Sequence, residues 1–334
     1  MASDSRPDIS VVIPVKNGGA TIEAALQGLL AQTLADRTEI ILIDSGSRDD
    51  TLDIARGYPV IVHEIPAAEF NHGATRNLGV KLARGDFVVM TVQDAAPVDT
   101  HWLATMLRHF DDPEVAGVCG KQITTHDLDK NPMEWHRPMG EPQVTRLQFA
   151  TRQDYEALPG PARMAASAWD DVTAMYRKSV LLDLPFRTTM FGEDFFWAND
   201  ALALGHALVH DDNAMVRHYH DQPFSFRFRR QLTTYQHQLH LYEHIAPPQN
   251  FWRKAGQSAW HLSRHQMLSW SQKVYWLYYN LRLCYADWSA HLITHGALAL
   301  AGSAGLDRVH AHFCPGAPQA MTKPISGAGG KAAT

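Results

Sequence analysis

The chain has 334 residues, of which 45% are hydrophobic and 19% charged, and its formal net charge at pH 7 is −5. This composition is typical of a folded globular protein, too apolar for intrinsic disorder and without the basic excess of a nucleic-acid-binding protein. Cys119, Cys284 and Cys314 lie far apart, which excludes a disulfide framework or a CxxC metal site and favours a reducing compartment. The polar first residues and the lack of a long apolar run predict neither a signal peptide nor a transmembrane helix, and hence a cytoplasmic protein.

Strands and helices alternate in the N-terminal part of the chain. Apolar, β-branched runs predict strands at 9–15, 39–44, 60–64 and 87–92. Their continuous apolar character favours strands that are buried on both faces of a mainly parallel sheet. Helical spacing lies between them, at 22–30, about 49–57 and 74–82. Such alternation is typical of a doubly wound α/β domain.

The pattern changes after residue 123. Prolines, charges and scattered aromatics predict long loops over 123–163, followed by a helix at 194–204 and two short strands around Leu208 and Val216. The stretch 224–301 has a helical pattern, and the composition of 315–334 predicts a disordered tail. We therefore expect an α/β domain over 1–222, a helical region over 223–314 and a tail over 315–334.

Charge is distributed unevenly along the chain. From Asp221 to the C-terminus, eleven Lys and Arg face only four Asp and Glu, and five of the nine Trp residues lie there. One interpretation is that these helices pack on the first domain or on a second protomer. The other is a surface that meets anionic lipid, which basic and aromatic side chains suit. The sequence leaves both interpretations open.

The ends of the predicted strands are the first place to look for a site, because ligands of parallel α/β sheets bind beyond the carboxyl ends of the strands. The first strand ends in Pro14, Val15 and Asn17, without the glycine pattern of a dinucleotide-binding turn or a P-loop. Asp44 ends the second strand and can either accept hydrogen bonds from a nucleobase or ribose, or cap the next turn. Asp94 follows the fourth strand, where a carboxylate can bind Mg²⁺ or Mn²⁺ together with phosphate oxygens.

A polar helix entrance, FNHGATRNLG at 70–79, lies between the third and fourth strands and carries one cation, Arg76. The free amides and the dipole of a helix N-terminus favour an anionic ligand. The sequence therefore predicts an anion near this entrance.

These segments, in this order, resemble glycosyltransferase family 2 and its GT-A fold. The matching motifs are VVIPVKNGGATI, IDSGSRDDT, ATRNLG, VQDA, GED and VRH. The fourth is normally a D-x-D motif and reads Val92-Gln93-Asp94 here, so Val92 stands in place of its first aspartate. The resemblance covers about residues 8–235 and is greatest to the rhamnosyltransferase-type branch. It implies a GT-A nucleotide-sugar-binding and catalytic domain over 1–222, with a helical C-terminal extension.

The resemblance also implies roles for individual residues. The expected donor-binding residues are Pro14, Val15, Asn17, Asp44, Arg76, Gln93 and Asp94. Among them, Asp44 would accept hydrogen bonds from a pyrimidine base and Arg76 would lie near the base or the phosphates. Asp94 and His218 would bind a divalent cation, Mg²⁺ or Mn²⁺, that bridges the donor diphosphate. Since the chain has 19 histidines, His218 can also be an ordinary packed residue.

Asp194 is the expected general base, which would take the proton of the acceptor hydroxyl as it attacks. Its neighbour Glu193 could exchange roles with it, and either carboxylate could simply stabilise a helix N-terminus. Four further candidates near the site are Trp169, His220, Arg229 and Arg230.

The expected function is thus that of a metal-dependent, inverting glycosyltransferase. The expected donor is dTDP-L-rhamnose, and the expected acceptor is a hydroxyl of a glycan or lipid-linked oligosaccharide in surface polysaccharide synthesis. Expected partners further include an anionic membrane surface, at the inner face of the cytoplasmic membrane, and a second copy of the chain, but no nucleic acid. The alternative, suggested by the missing first aspartate of the D-x-D motif, is a catalytically weak nucleotide-sugar-binding or scaffolding protein of the same fold.

Overall fold

The structure, a computed structural model, describes residues 6–135, 141–189, 191–315 and 321–322. A sheet flanked by helices occupies the N-terminal part, and long helices follow. The strands are β1 (Ile9–Val15), β2 (Thr38–Asp44), β3 (Ile61–Glu64), β4 (Phe87–Thr91), β5 (Ala95–Pro97), β6 (Val115–Ile123), β7 (Val144–Leu147), β8 (Thr173–Arg177), β9 (Ala207–His218), β10 (His220–Asp221) and β11 (Met321–Thr322). The helices are α1 (Ile22–Leu30), α2 (Thr51–Arg56), α3 (His72–Leu82), α4 (Trp102–Leu107), α5 (Arg152–Glu156), α6 (Gly160–Ala166), α7 (Lys178–Asp183), α8 (Glu193–Ala203), α9 (Phe224–Tyr242), α10 (Phe251–Arg264) and α11 (Trp270–Phe313).

The α/β fold is confirmed, but the sheet is mixed rather than mainly parallel. Its strand order is β3-β2-β1-β4-β8-β6-β9-β5, with β7 paired to β9. The first four strands are parallel, as predicted, whereas β8 runs antiparallel between β4 and β6. In this antiparallel register, Thr173 at the start of β8 lies opposite Thr91, the last residue of β4. The residues before β8 therefore lie at the carboxyl edge of the parallel strands.

Helix α3 lies unusually close to β1. A Cβ atom at Gly79 would be 2.3 Å from Cγ1 of Val12, so only glycine allows this approach. Asn71 caps the same helix by accepting a hydrogen bond from the Ala74 amide at 3.1 Å. Together these contacts explain the glycine of the ATRNLG motif and hold Arg76 beneath the carboxyl edge of the sheet.

The two short strands predicted around Leu208 and Val216 are one continuous strand, β9. The prediction was wrong because polar residues that interrupt the apolar pattern have partners elsewhere in the fold. Buried Asp211 accepts hydrogen bonds from Arg108 and is paired with His109, both at 2.7 Å. The strand therefore continues to His218, which pairs with Ala95 of β5, and this register brings His218 beside Asp94.

The segment predicted as long loops, 123–163, is only partly irregular in its described residues, and 136–140 lie outside them. It contains β7, which pairs with β9, and the short helix α5, whose N-terminus is closed by a capping box between Thr151 and Asp154. Helix α6 also begins within it. The prediction was wrong there because a lone edge strand and two short helices leave little periodicity in the sequence.

The C-terminal helices form a layer of their own that is joined to the sheet domain. Leu232 and Tyr235 of α9 pack with Ala290 of α11. Asn280 of α11 and Asn131 exchange two amide hydrogen bonds, each of 3.0 Å. Ala301 and Gly302 interrupt α11 with non-helical backbone angles. Among the described residues, none of the helices combines the length and the apolar character needed to cross a membrane.

The predicted tail, 315–334, lies mostly outside the described residues. The described part of it includes β11, which pairs antiparallel with β10.

Candidate functional site

A cavity of about 740 Å³ opens at the carboxyl edge of the sheet. Most of the predicted site residues line it, although they come from segments far apart in the sequence. They are Pro14, Val15, Asn17, Arg76, Gln93, Asp94, Trp169, Glu193, Asp194, His218, His220 and Arg230. Asp44 and Arg229 are not among the lining residues. The tertiary structure therefore brings the predicted residues together, with two exceptions.

Asp44 lies just behind the cavity wall, which its neighbour Ser45 forms. Its Oδ2 atom accepts hydrogen bonds from the backbone amides of Gly46 and Ser47, at 2.9 and 3.0 Å. Its Oδ1 atom is buried and has no hydrogen-bond partner within the described part of the chain. Both predicted roles of Asp44 are therefore physically possible. Oδ2 caps the turn, and Oδ1 can still accept a hydrogen bond.

Asn17 and Gln93 organise the loop after β1. Asn17 has a positive φ of 50°, and its side-chain oxygen accepts from the Arg48 amide at 2.8 Å. The Gln93 amide group accepts from the Lys16 amide at 2.7 Å and donates to the Lys16 carbonyl at 3.2 Å. The side chain at the middle position of the motif is thus committed to the backbone of this loop.

Asp94, His218 and His220 form a compact group on one side of the cavity. The Asp94 carboxylate lies 3.4 Å from Nε2 of His218 and 4.0 Å from Nδ1 of His220. The potential ligand atoms of the three residues all lie within 4.8 Å of one another. Burial disfavours ionisation of Asp94, but the adjacent His218 and then His220 outweigh it and lower its pKa. A carboxylate with two imidazoles fits a divalent cation chemically.

Gln122 orients one of these imidazoles. Its side-chain oxygen lies 2.7 Å from Nδ1 of His218, so it engages Nδ1 and leaves Nε2 as the ring nitrogen directed at Asp94. The amide nitrogen of the same side chain donates to Oδ2 of Asp170. Gln122 thereby connects the Asp94 group to a cluster of carboxylates on the other side of the cavity.

Arg76 is buried at the centre of that carboxylate cluster. Its Nε atom donates to Asp171 at 2.6 Å and lies 3.2 Å from Glu193, and the residue is only 5% exposed. Although burial opposes its charge, Glu193 and Asp171 raise the pKa of Arg76 further above its ordinary value. The guanidinium is therefore a fixed counter-charge for two acids, and the predicted contact with the donor stays a prediction.

Tyr176 and Trp169 complete the hydrogen bonding of Asp171. The Tyr176 hydroxyl donates to the second carboxylate oxygen of Asp171, and it accepts from the Trp169 indole at 2.7 Å. Trp169 packs against Trp197 in the same layer of the core. The predicted candidate Trp169 thus lines the cavity and also orients, through its hydrogen bond to Tyr176, the hydroxyl that binds Asp171.

The two acids at the start of α8 have different surroundings. Glu193 is 4% exposed and points to Arg76. Asp194 is partly exposed in the cavity wall and accepts the amide of Phe195 at 2.8 Å. No Lys, Arg or His lies within ion-pair distance of Asp194 among the described residues. Burial, together with the charges of Glu193, Asp171 and Asp170, raises the pKa of Asp194 well above its usual value.

Arg229 and Arg230 occupy different faces of α9. Arg230 lies over the Phe191 ring, with 5.2 Å from its guanidinium carbon to the ring centre, and Phe226, one turn earlier, also lines the cavity. The backbone carbonyl of Arg229 instead accepts from Thr233 and from Cys314. Since residues four apart share a helix face, the pairing of Phe226 with Arg230 could have been read from the sequence.

Several lining residues were missed by sequence reasoning: Lys16, Phe70, His72, Gln122, Asp170, Asp171, Phe191, Phe195, Gln222 and Phe226. Asp170 and Asp171 precede a strand, and only the antiparallel direction of β8 brings them to the carboxyl edge. His72 lies near Glu193, 3.8 Å from its carboxylate. Burial, with the Arg76 charge, lowers the pKa of His72 to about 3, so its ring is neutral.

The fold and the cavity define a class of protein. The α/β sheet places carboxylates and imidazoles beyond its strand ends, which is where such sheets bind ligands. Among solved structures, the mannosyltransferase PcManGT from Pyrobaculum calidifontis, in complex with GDP-Man and Mn²⁺, has a TM-score of 0.52 at 18% identity, covering 93% of this chain and 81% of that one. The S. aureus TarS 1-349 structure has a TM-score of 0.51 at 14% identity, covering 90% and 80%. These likenesses define the class by its fold, which is of the GT-A type.

Sequence comparison identifies the family. The profile described as glycosyl transferase family 2 matches residues 10–181. The O-antigen chain rhamnosyltransferase RfbN of Salmonella typhimurium is 30% identical over 230 residues, which are 68% of this chain and 71% of the relative. WbaN of Salmonella anatum, also an O-antigen chain rhamnosyltransferase, is 30% identical over 231 residues, with the same coverage. The chain belongs to glycosyltransferase family 2 and is a glycosyltransferase, as the sequence motifs predicted.

We predict that Arg76→Met destabilises the protein by about 3–5 kcal/mol, because it leaves Asp171 and Glu193 buried without a counter-charge. The free energy of unfolding, measured by urea denaturation, tests this. The control is Arg56→Met, since Arg56 is 61% exposed in its pair with Asp53 and its loss should cost less than about 1 kcal/mol. Equal losses in the two variants would contradict the role given to Arg76.

Proposed function

We propose that this protein is a metal-dependent, inverting glycosyltransferase that transfers L-rhamnose from dTDP-L-rhamnose to a hydroxyl group of a glycan or lipid-linked oligosaccharide. The observation that carries the proposal is one cavity with two chemically different sides. One side has the Asp94, His218 and His220 group, and the other has the partly exposed Asp194. RfbN and WbaN are O-antigen chain rhamnosyltransferases, and this supports rhamnose as the sugar and surface polysaccharide as the product.

The charge of the cavity favours a cation with the donor. The carboxylates that line it are Asp94, Glu134, Asp170, Asp171, Glu193 and Asp194, against the cations Lys16, Arg76 and Arg230. A nucleoside diphosphate is itself anionic, so this surface would repel it. A divalent ion held by Asp94 and His218 would neutralise the diphosphate as it departs. Lys16 and Arg230, which also line the cavity, would add positive charge there.

The proposed reaction is a single displacement. The acceptor oxygen forms a bond to the anomeric carbon as the bond from that carbon to the diphosphate oxygen breaks, with attack opposite the leaving group and hence inversion. The proton of the acceptor hydroxyl passes to the Asp194 carboxylate. Glu193 is less suited to this role because it is buried against Arg76. Asp44 would accept from the base through its Oδ1 atom, which is buried behind Ser45 and has no hydrogen-bond partner among the described residues, so the wall at Ser45 must shift to admit the base.

The side chains exposed on the C-terminal helices support the proposal that the acceptor lies at a membrane. Trp252 and Trp270 are 80% and 78% exposed, and Arg264 lies over the half-exposed ring of Trp260 at 4.3 Å. Tryptophan prefers the membrane interface, and each basic residue near anionic lipid contributes about 1 kcal/mol. We therefore place the enzyme at the inner face of the cytoplasmic membrane, with region 223–314 as its contact and residues 1–222 as the catalytic domain.

The first prediction concerns the donor and the cation. Calorimetry should show that dTDP binds more tightly with Mn²⁺ than with chelator, and that Asp94→Asn removes this difference because the carboxylate is a ligand. Asp86→Asn is the control, since Asp86 is an exposed acid that pairs with Arg6. In the same assay with metal, dTDP-L-rhamnose should bind more tightly than GDP-mannose or UDP-glucose. Affinity that is independent of metal in the unmutated protein would refute the proposal.

The second prediction concerns the base. Asp194→Asn, which is nearly isosteric, should lower kcat by about 10²- to 10⁴-fold while leaving the donor Kd unchanged. Glu193→Gln should retain much more activity and lose stability instead, because it gives up a charged partner of Arg76. Single-turnover rates with saturating donor measure the first effect, and urea denaturation measures the second. If Glu193→Gln loses turnover and Asp194→Asn does not, the roles are reversed.

The third prediction is a pH dependence. The base must be ionised, so kcat falls as the pH drops through its pKa, and the raised pKa of Asp194 places this acidic limb well above 3.8. Asp171 is one of the charges that raise it, so Asp171→Asn should move the limb to lower pH. The pH profile of kcat at saturating donor tests this, with each sample assayed again at neutral pH as a control for stability. An unmoved limb in Asp171→Asn would argue against Asp194.

The fourth prediction concerns the membrane. Co-sedimentation with vesicles should require anionic lipid and weaken with salt, because exposed charges are screened within about 8–10 Å. The variant Trp252→Ser with Trp270→Ser should bind less at every salt concentration. The control is Leu204→Ser, which alters a residue that is 60% exposed on the sheet domain. No binding to any vesicle, together with a stable dimer in ultracentrifugation, would assign these helices to an oligomer interface instead.

A further inference from the structure

One face of α9 crosses the cavity. Phe226 and Arg230, which are four residues apart and share this face, both line the cavity. The centre of the Phe226 ring lies 5.8 Å from that of His220, on the side proposed to hold the cation. The guanidinium carbon of Arg230 lies 5.2 Å from the centre of the Phe191 ring, which belongs to the chain just before α8. This face of α9 therefore brings the charge of Arg230 to the side of the cavity that carries Asp194.

The chain before α8 places Phe191 close to Asp194. Gly192 has a φ of 79°, in the left-handed region. A Cβ atom at Gly192 would lie 2.3 Å from Cζ of Phe195, so the sharp turn requires glycine. The rings of Phe191 and Phe195 lie 6.4 Å apart, and the Phe195 amide donates to Asp194 at 2.8 Å. The ring that stacks on Arg230 and the proposed base therefore belong to one short segment of chain.

Three Lys and Arg side chains line the cavity among the described residues, and they come from different walls. Arg76 is buried between two carboxylates. Lys16 lies in the loop after β1, whose backbone bonds to Gln93 on the donor side. Arg230 comes from α9 and lies beside the turn that leads to Asp194. The charge of Arg230 is thus separate from the other two and nearest to the proposed base.

The proposed reaction assigns the two sides of the cavity to two ligands. The donor diphosphate lies with the cation at Asp94, and the acceptor hydroxyl lies at Asp194. A cation on the Asp194 side therefore faces the acceptor. Since the acidic lining would repel an anionic acceptor, such an acceptor needs a counter-charge, and a guanidinium supplies one in a planar fork that suits phosphate oxygens. Stacking on Phe191 holds the fork of Arg230 in place.

We infer that Arg230, held over Phe191, binds a phosphate group of the acceptor, so that the preferred acceptor is a glycan linked to lipid through a diphosphate. The inference rests on the proposed function, which places the acceptor hydroxyl at Asp194, and adds the chemical group by which the acceptor is recognised. Leu232 and Tyr235 of the same helix pack against α11, in the region proposed to contact the membrane. One helix thus connects the cavity with the proposed lipid side.

The phosphate must lie near the reacting hydroxyl, because Arg230 stands beside the turn that carries the base. The probes are therefore single sugars, namely glucose, galactose, mannose and N-acetylglucosamine, each linked through diphosphate to a farnesyl chain. Each is compared with the same sugar on the same chain without phosphate. Calorimetry measures their binding to the full chain, whose donor site is saturated with dTDP and Mn²⁺. At least one diphosphate-linked probe should bind at least about tenfold more tightly than its neutral match.

Variants assign this preference to one side chain. Arg230→Gln should weaken binding of the diphosphate-linked probe about 10- to 100-fold and leave its neutral match unchanged, because the lost hydrogen bonds are to a charged group. Arg230→Lys keeps the charge without the fork and should fall between. Arg253→Gln, at an exposed position of α10 outside the cavity lining, is the control and should bind like the unmutated protein. Thermal melting identifies the folded variants, and Arg230→Lys carries the test if Arg230→Gln does not fold.

Four results would overturn the inference. The first is equal binding of every diphosphate-linked probe and its neutral match. The second is an equal loss in Arg230→Gln and Arg253→Gln, which would mean a general attraction to the basic helices. The third is tighter binding of a farnesyl glycoside of glucuronic acid than of any diphosphate-linked probe, which would place the anion in the sugar. The fourth is weaker binding of dTDP in Arg230→Gln with unaltered binding of the probes, which would assign Arg230 to the donor.

The same titrations separate this inference from the proposed function. Binding of dTDP is measured first, with Mn²⁺ and with chelator, and tests the donor site without any acceptor. If dTDP binding requires Mn²⁺ and the probes show no preference for diphosphate, the proposed function stands and the inference fails. If dTDP binding is independent of metal, the proposed function fails and the inference fails with it.

Discussion

The buried charge of Arg76 is the interaction on which the acidic side of the cavity depends. Asp171, before β8, and Glu193, at the start of α8, both converge on its Nε atom. Two carboxylates could not remain ionised in such a buried place without this cation. Arg76 is available there because Gly79 allows α3 to approach β1. Asp194 borders this cluster while, among the described residues, no cation pairs with it, and this difference separates the two acids of the motif.

A single amide side chain connects the two sides of the cavity. Gln122 holds His218 through one end and Asp170 through the other. Its strand, β6, lies next to β9, which carries His218, and next to β8, which follows Asp170. The side proposed to hold a cation and the side proposed to hold the base are therefore positioned by the same central strands. This arrangement depends on the mixed direction of the strands around β6, where β8 is antiparallel and β9 parallel to it.

Much of the fold was predictable because its signals are local. The strand predicted at 9–15 coincides with β1, since a buried parallel strand is a continuous apolar run. The sequence predicts two short strands in place of β9 because acidic residues within an apolar run are typical of a turn. The structure shows instead that Asp211 pairs with Arg108 and His109 within a continuous strand. The direction of β8 was equally hidden, and with it the place of Asp170 and Asp171. The periodicity of a sequence indicates which face of a strand or helix is apolar. It does not indicate which residue, distant in sequence, forms the hydrogen bond or ion pair of a buried polar side chain.

The sequence by itself determined the family, the α/β class and a set of candidate side chains, because motifs and apolar periodicity depend on neighbours along the chain. The tertiary structure decided which atoms those side chains have available. Gln93 turns back to the Lys16 backbone, Arg230 rather than Arg229 faces the cavity, and His220 stands beside Asp94. The physical reason is that hydrogen bonds, burial and charge pairing are made between residues that only the folded sheet brings into contact.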